Sequence, residues 1–558
     1  MHHLKRETEA GHWYINELGA RVVAESGRPE DRFHLGKLLL TSLRDDPDLI
    51  SQIDGGTGES ETCGSVLERS VRCANAFRKL GLGCGDVIVL MAPNYLDIAI
   101  PCYAGLYTGV AAAPIDKFME MKDLKHMLDK DKPKIVFCQS KRAKDVREAL
   151  DSCNLASSIV IFDEDGDKVN NTIYFKDFLT KYNDETTVEN FKATDFNPED
   201  ATAVLISTSG STGLPKQNII THKNVVISAS SWWPLENKFP APTRIHLVVS
   251  PLQWLTAMIQ CHLSVLFKYT RLQSSHDMDY AHVCHLINTY RPTSTINSPV
   301  FLANLLRYGA QKCDFTSFQT VYVGGSAVSP DLIDEFKSLA PKANIWDIYG
   351  TTEISGLGFV PNATPLARGP NACQGKQARH LEYRLIDIDN NEDIVEPNVR
   401  GELLLKGPSV FKGYYKNEEE TKLMMTEDGW YKTGDIFYRD EHWNFYFVAR
   451  IKFLLKYKTY RMSPVEIENV INQHPGVQYV VVTGIPDTYC GDLLAACVVR
   501  RPGSTVTAQE IKDLVINKLP DSRQLRGGVV FVDKMPLTAT TKVNLMKVKE
   551  LVINAERE

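Results

Sequence analysis

The chain has 558 residues, of which 43% are hydrophobic, 24% charged and 9% aromatic. Those proportions exclude wholesale disorder and collagen-like structure. Lys plus Arg number 63 against 69 Asp plus Glu, a net charge of −6 that lacks the long-range field of a dedicated nucleic-acid binder.

At this length the chain is expected to hold about three to five domains or subdomains. The N-terminus, Met1-His-His-Leu-Lys-Arg-Glu, is too polar for a signal peptide. Ser65–Leu80 carries apolar residues at helical spacing, and Asp86–Ala92 reads as a short buried strand. Tyr95–Thr108 is helical again, and Val110–Ile115, Lys134–Cys138 and Ser158–Phe162 read as further buried strands. Short apolar runs separated by helices predict parallel sheets covered on both faces. The apolar stretch Val248–Phe267 contains Pro251, Gln253, Gln260 and His262, so it reads as core and not as a membrane span.

From Gly401 to Val448 the strands become shorter and more polar. A compact α+β pattern follows: helix Ser463–Gln473, strand Val477–Val482, strand Ala495–Arg500, helix Thr507–Lys518 and strand Val529–Val532. The change of pattern puts a boundary near Ala449–Lys452, dividing the chain into a large unit, 1–449, and a small one, 450–558. The 12 cysteines are scattered with no CxxC pair, as expected of buried reduced thiols. His282-Val283-Cys284-His285 has no second ligand pair at metal-binding spacing. The C-terminus is not a Ser-Lys-Leu address, and a cytoplasmic location is the expectation.

The segment Ser207-Thr-Ser-Gly-Ser-Thr-Gly-Leu-Pro-Lys-Gln217 follows the predicted strand Ala203–Ile206. Its hydroxyls and backbone N–H groups can donate to phosphate oxygens, its glycines permit close approach, and Lys216 supplies a cation. It is not a Walker A loop, because no Gly-Lys-Ser/Thr stands at the required spacing.

This segment resembles the phosphate loop of the adenylate-forming superfamily, which contains acyl-CoA synthetases, 4-coumarate–CoA ligases and beetle luciferases. Further motifs follow in family order: Tyr349-Gly-Thr-Thr-Glu353, Gly429-Trp-Tyr-Lys-Thr-Gly-Asp435, Arg450 and Lys452, Lys456 and Lys458, Pro464-Val-Glu-Ile-Glu468, Gly484-Ile-Pro-Asp487 and Lys542. The resemblance spans residues 30 to 550 or so, and in flavour it is nearest to insect luciferase-like acyl-CoA synthetases.

The resemblance implies an α/β fold. A large N-terminal domain of parallel-rich sheets flanked by helices, with a distorted β-barrel, would carry a small mobile α+β C-terminal domain. It implies activation of a fatty or aromatic carboxylic acid by ATP with Mg²⁺, then transfer to coenzyme A, giving acyl-CoA, AMP and pyrophosphate. Ser207, Thr208, Ser209, Gly210, Ser211, Thr212, Gly213 and Lys216 would hold the β- and γ-phosphates. Thr352 would contact the α-phosphate, with Thr351 also in the cofactor site, and Glu353 would hold Mg²⁺. Asp435 would bind the ribose hydroxyls with Arg450 assisting. Gly324, Gly325, Ser326, Tyr349 and Gly350 would wall the adenine and acyl pocket, with Trp254 at its gate. Lys542 would serve adenylation, and Lys456 and Lys458 the thiol step after domain rotation. The implied partner is a small-molecule acid, with no nucleic acid and no transmembrane segment, and with the oligomeric state open.

Several positions depart from the family pattern. Gln217, Thr459 and Thr541 stand where the family has glycine, Ala449 replaces Asp or Gly, and Trp254 replaces a gate His. A positive φ at Gln217 would carry a strain of about 1–3 kcal/mol. Side chains at Thr459 and Thr541 put the thioester step in question. Luciferase-like oxygenation of the adenylate, and ligand binding without turnover, stay open as alternatives.

Overall fold

The computed structural model describes residues 10–163, 169–182, 187–208, 216–232, 244–326, 328, 330–360, 373–458, 460–537 and 543–558. Two seven-stranded sheets form its bulk. The first runs, in spatial order, Thr172–Tyr174, Ser158–Ile161, Ile135–Cys138, Val87–Met91, Ala111–Pro114, Thr202–Thr208 and Lys216–Thr221. All its pairings are parallel except the last, a hairpin. Every residue of Val87–Met91 and of Ile135–Cys138 is buried, as strands covered on both faces must be.

The second sheet orders Asn344–Ile348, Thr320–Gly324, Ser294–Asn297, Ile245–Leu247, Thr270–Gln273, Ile50–Asp54 and Ser60–Thr62. Only its last pair is antiparallel. One large apolar core gathers the helices Leu35–Asp45, Cys63–Lys79, Ala99–Thr108 and Leu255–Leu266 against strands of the first sheet. The helix Cys63–Lys79 begins where the Thr62 hydroxyl accepts from the Ser65 N–H, one of the donors a helix start leaves unpaired. Val248–Phe267 is core as expected, with Leu255–Leu266 helical and mostly buried. No helix among the described residues is long and apolar enough to cross a membrane.

A third sheet is antiparallel throughout: Phe359–Val360, Cys373–Gln377, Phe445–Arg450, Tyr431–Arg439, Gly401–Lys406 and Glu382–Ile386. Its inner face is aromatic, with Phe359 stacked on Phe445 at 4.7 Å and Tyr349 edge-on to Phe437 at 4.8 Å. This half-barrel sheet stands for the distorted β-barrel that the resemblance implied.

The C-terminal residues build their own sheet, Tyr460–Met462, Leu455–Tyr457, Gly491–Arg500 and Val477–Asp487, with Gly528–Val532 added parallel to Gly491–Arg500. It has separate apolar cores on its two faces. Thr507 and Glu510 form a reciprocal capping box at the start of helix Ala508–Lys518. The strands Val477–Asp487 and Gly491–Arg500 are longer than the sequence pattern suggested, because Gly484-Ile-Pro-Asp487 continues the ladder opposite Gly491–Leu494. Pro486, which has no N–H to give, lies opposite Asp492 in that ladder.

Candidate active site

The phosphate-loop segment is held at both ends by one hairpin. Ser207 lies opposite Gln217, and Thr208 opposite Lys216. The Thr208 hydroxyl donates to the Lys216 carbonyl at 3.3 Å, and the Asn218 amide donates to the Ile206 carbonyl at 3.2 Å. Ser209, Gly210, Ser211, Thr212 and Gly213 lie outside the described residues. The Lys216 ammonium is paired with the Glu420 carboxylate and lies 5.7 Å from the centre of the Tyr414 ring. Glu420 stands in helix Glu418–Met424, whose start is capped by Asn417 accepting from the Glu420 N–H at 3.1 Å.

The strain expected at Gln217 does not arise. Gln217 sits in the extended strand Lys216–Thr221 and is absent from the left-handed positions among the described residues. Its side chain is fully buried and hydrogen-bonded, so a glycine is not needed there.

The second part of the site forms where the edge strand Asn344–Ile348 and its neighbour Thr320–Gly324 end. The C-terminal ends of parallel strands are where open α/β sheets place ligands. Gly324 and Gly350 are required by close approach. A Cβ on Gly324 would lie 2.3 Å from the Ile348 carbonyl oxygen, and one on Gly350 would lie 2.3 Å from that of Gly356. Gly325 and Ser326 are exposed just beyond. Gly350–Thr351 then pairs with Gly356–Leu357, and the Thr351 and Ser355 hydroxyls are buried without partners among the described residues.

Thr352 and Glu353 lie in the single turn between those short strands. The Glu353 carbonyl accepts from the Phe411 N–H at 2.7 Å, and its Oε1 accepts from the Tyr414 hydroxyl at 3.0 Å. Burial, with Glu353 beside it, pushes the Tyr414 phenol well above its ordinary value. Tyr414 therefore touches both Lys216 and Glu353, a link that nothing in its sequence context announced.

Asp435 and Arg450 face each other on adjacent strands of the half-barrel. Arg450 donates Nε to Asp435 Oδ1 at 2.7 Å and Nη2 to Oδ2 at 3.0 Å. The Tyr349 hydroxyl donates to the same Oδ2 at 2.7 Å. Lys452 follows within two residues. Desolvation, then the Arg450 guanidinium, hold its ammonium below the ordinary lysine range. Asp435 and Glu353 pull the other way, and Lys216 adds to the lowering. The structure thus brings Lys216, Glu353, Tyr349, Asp435, Arg450 and Lys452 into one charged neighbourhood. Tyr414 and Glu420 are the members that sequence reasoning missed.

Other expected residues are not brought there. Lys456 is exposed on strand Leu455–Tyr457, with its backbone N–H donating to Asp492 at 2.9 Å. Lys458 has φ 54° and donates its N–H to the Cys490 carbonyl at 2.6 Å. Neither makes a contact with the charged cluster among the described residues. Lys542, Thr541 and Thr459 lie outside the described residues. Trp254 stands at the start of helix Leu255–Leu266 with its indole N–H buried and unpaired among the described residues. Among the described residues no three His, Cys, Asp or Glu side chains gather as a metal site, and His282 Nε2 lies 2.8 Å from the Ser274 hydroxyl.

Comparison with known proteins gives this geometry a family. Residues 40–415 match the model of the AMP-binding enzyme, and residues 466–542 that of the AMP-binding enzyme C-terminal domain. A luciferin 4-monooxygenase of Photuris pensylvanica is 31% identical over 509 residues, 90% of this chain and 92% of that protein. The 4-coumarate–CoA ligase-like 3 of Arabidopsis thaliana is 27% identical, over 88% of each chain. Among solved structures, ATP-bound MatB of Rhodopseudomonas palustris superposes with a TM-score of 0.81 at 21% identity, over 92% of this chain and 99% of that one. The luciferase-like enzyme of the nonluminescent Zophobas morio mealworm gives 0.66 at 28% identity, over 75% and 95%. With the phosphate-loop hairpin, the glycine-lined strand ends and the Asp435–Arg450 pair set in this fold, the chain belongs to the AMP-binding, adenylate-forming enzyme family.

Proposed function

We propose that the protein is an ATP-dependent acid–thiol ligase acting on a fatty or aromatic carboxylic acid. The carboxylate oxygen attacks the α-phosphorus of ATP, the bond to the β-phosphate bridging oxygen breaks, and pyrophosphate leaves. The thiol of coenzyme A then attacks the acyl carbonyl, and AMP leaves with the bonding electrons. The observation that carries this reading is that Lys216 and Glu353, both beside Tyr414, and the Asp435–Arg450 pair, beside Tyr349, all act on the Lys452 ammonium.

Each residue does work that suits its chemistry. Asp435, held in place by Arg450 and Tyr349, is an acceptor for ribose hydroxyls. Lys216, with Ser207 and Thr208 and the segment Ser209–Gly213, offers donors to the β- and γ-phosphates. Thr351 and Thr352 donate at the α-phosphate, where charge builds during the in-line displacement. Gly324, Gly325, Ser326 and Gly350 leave room for flat groups against backbone, and Trp254 bounds the acyl end. The Glu353 carboxylate keeps Oε2 free of hydrogen bonds among the described residues, which fits a hard cation shared with phosphate oxygens. Glu353 would hold Mg²⁺, which supplies charge neutralisation of the triphosphate.

We place the adenylation step on Lys542 and the thiol step on Lys456 and Lys458, with residues 450–558 turning about Lys452 between the two. The exposed position of Lys456 and Lys458, away from the charged cluster, is what a residue waiting for such a turn needs.

The test is pyrophosphate release from ATP and Mg²⁺ with a panel of fatty and aromatic acids, each with and without coenzyme A. Thioester is followed by mass spectrometry. Pyrophosphate with acyl-CoA supports the ligase and names its acid. Adenylate without thioester stops the reaction at the first half, and silence across the panel overturns the reading. Luciferase-like oxygenation is the second reading, supported by the 31% identity to a luciferin 4-monooxygenase, and light on adding luciferin and ATP would decide for it.

A further inference from the structure

Gln217 occupies the position after Lys216 where related phosphate loops carry glycine, and its side chain has an unusual partner. The Gln217 Nε2 donates to Asp131 Oδ2 at 3.0 Å, joining residues 86 positions apart. Both side chains are buried, Gln217 completely and Asp131 to within 2%. The second oxygen of each group, Asp131 Oδ1 and Gln217 Oε1, is buried with no donor among the described residues.

An ionised carboxylate leaves both of those oxygens as orphaned acceptors, each at the cost of desolvation without compensation. One proton changes the count. A protonated Oδ1 is a donor, the amide oxygen is an acceptor, and the two groups then give and take one hydrogen bond each. Asp131 is also the last residue of helix Met121–Asp131, where the helix dipole disfavours negative charge. Burial pushes the Asp131 carboxyl up to about 6, against the Gln217 amide and the ammonium groups of Lys130 and Lys416, which favour the charged form. Lys416 faces it from the segment after Tyr415 and donates to the Lys130 carbonyl at 2.6 Å. From the hairpin side Gln217 is the group in contact.

We propose that Asp131 and Gln217 form a neutral acid–amide pair that ties the exit strand of the phosphate loop to helix Met121–Asp131 and positions Lys216. The connection to the site is short. Gln217 follows Lys216 directly, and its carbonyl accepts from the Tyr415 N–H at 2.8 Å, next to the Tyr414 that touches Lys216 and Glu353. Loss of the proton leaves one donor among three acceptor oxygens, and the tether slackens. The role at Lys216 rests on the ATP-binding reading above, whereas the pair itself does not.

The experiment compares the native protein with Asp131→Asn, whose side-chain amide reproduces the donor and acceptor of the neutral acid at every pH. Gln217→Ala serves as the variant without a partner. Thermal unfolding is read at pH 5 to 8, and ATP affinity by calorimetry with Mg²⁺ over the same range. The expected result is an Asp131→Asn midpoint about 2 °C or more above native at pH 8, with a gap that narrows as pH falls through 6. The native-to-Asp131→Asn ratio of ATP dissociation constants should rise about three- to tenfold over that range, and the ratio cancels the titration of ATP itself. Gln217→Ala should abolish that pH-dependent difference in affinity. A gap that does not change with pH overturns the neutral pair. A changing gap with a flat affinity ratio overturns the positioning of Lys216. If no ATP binds at all, the ligase reading fails while the unfolding data still decide the pair.

Discussion

Asp435 receives three hydrogen bonds from two residues that flank it in space, with Arg450 directly opposite on the neighbouring strand and Tyr349 from the end of a different sheet. The Arg450 contacts are 2.7 and 3.0 Å, the Tyr349 contact is 2.7 Å, and the carboxylate is fully buried. Two donors fixed on separate elements hold the carboxylate in one orientation. A ribose that binds it meets a preorganised acceptor and not a mobile side chain.

Asp435→Asn keeps the shape but removes the charge that Arg450 neutralises. It should lower kcat/KM for ATP-dependent pyrophosphate release by about 10²-fold, mainly through KM for ATP. Tyr349→Phe removes one of the two residues that orient the carboxylate and should give a smaller rise in the same constant. Steady-state pyrophosphate kinetics over a range of ATP concentrations measures both.

Glu420 holds the Lys216 ammonium, which the proposed function assigns to the triphosphate. The Lys216–Glu420 pair is only partly exposed, at 11% and 20% of each side chain, so screening by water is modest. Glu420→Gln should release Lys216 and tighten ATP binding about threefold, whereas Lys216→Ala should weaken it about tenfold or more. Calorimetric titration with ATP distinguishes them, and a weaker-binding Glu420→Gln would show that Glu420 supports Lys216 instead of competing with phosphate.

Metal dependence is expected to run through Glu353 and its support. Removal of Mg²⁺ with EDTA should abolish pyrophosphate release. Tyr414→Phe deletes the hydroxyl on Glu353 Oε1, and such supporting contacts are worth about tenfold in metal affinity. Its half-saturating Mg²⁺ concentration should rise by that factor, with a larger rise for Glu353→Gln, read from activity against free Mg²⁺.

Asp347 gives the protein a pH dependence opposite to ordinary acid unfolding. Burial raises its carboxyl to about 7, against the Gln374 amide that favours the charged form. Its ordinary value is near 3.8, so between about pH 4 and 7 the folded state binds the extra proton. The stability it contributes is complete below pH 4 and is lost as pH rises through 7. Asp347→Asn, which is neutral throughout, should unfold at a higher temperature than the native protein at pH 8, and its advantage should shrink as pH falls toward 5. Scanning calorimetry at those two values checks the sign.

The two half-reactions should separate by mutation. Lys542→Ala should slow pyrophosphate release by about 10²–10³-fold, the scale of losing one donor to a developing charge. Lys456→Ala should leave pyrophosphate release nearly intact and lower acyl-CoA formation. Parallel pyrophosphate and thioester assays measure the split, and equal losses in both assays for Lys456→Ala would argue against a separate thiol step.

Local chemistry in the sequence was enough for most of the elements. The buried runs at Val87–Met91 and Ile135–Cys138, the Thr62 and Thr507 caps and the helix Pro464–Ile471 after Ser463 depend on contacts within a few residues. Periodicity and capping act over that range, so they can be read from the chain alone. The order of the nucleotide motifs was legible for the same reason, each being a short segment with its own composition. The pairs that make the site were not. Lys216 meets Glu420 across 204 positions, Tyr349 meets Asp435 across 86, Tyr414 meets Glu353 across 61, and Gln217 meets Asp131 across 86. These contacts follow from which strands lie side by side, and strand order is settled by packing of the whole chain. Gln217 shows the difference most plainly. By sequence it is a glycine lost from a phosphate loop, and only the buried carboxyl of Asp131 beside it makes it a residue with a partner.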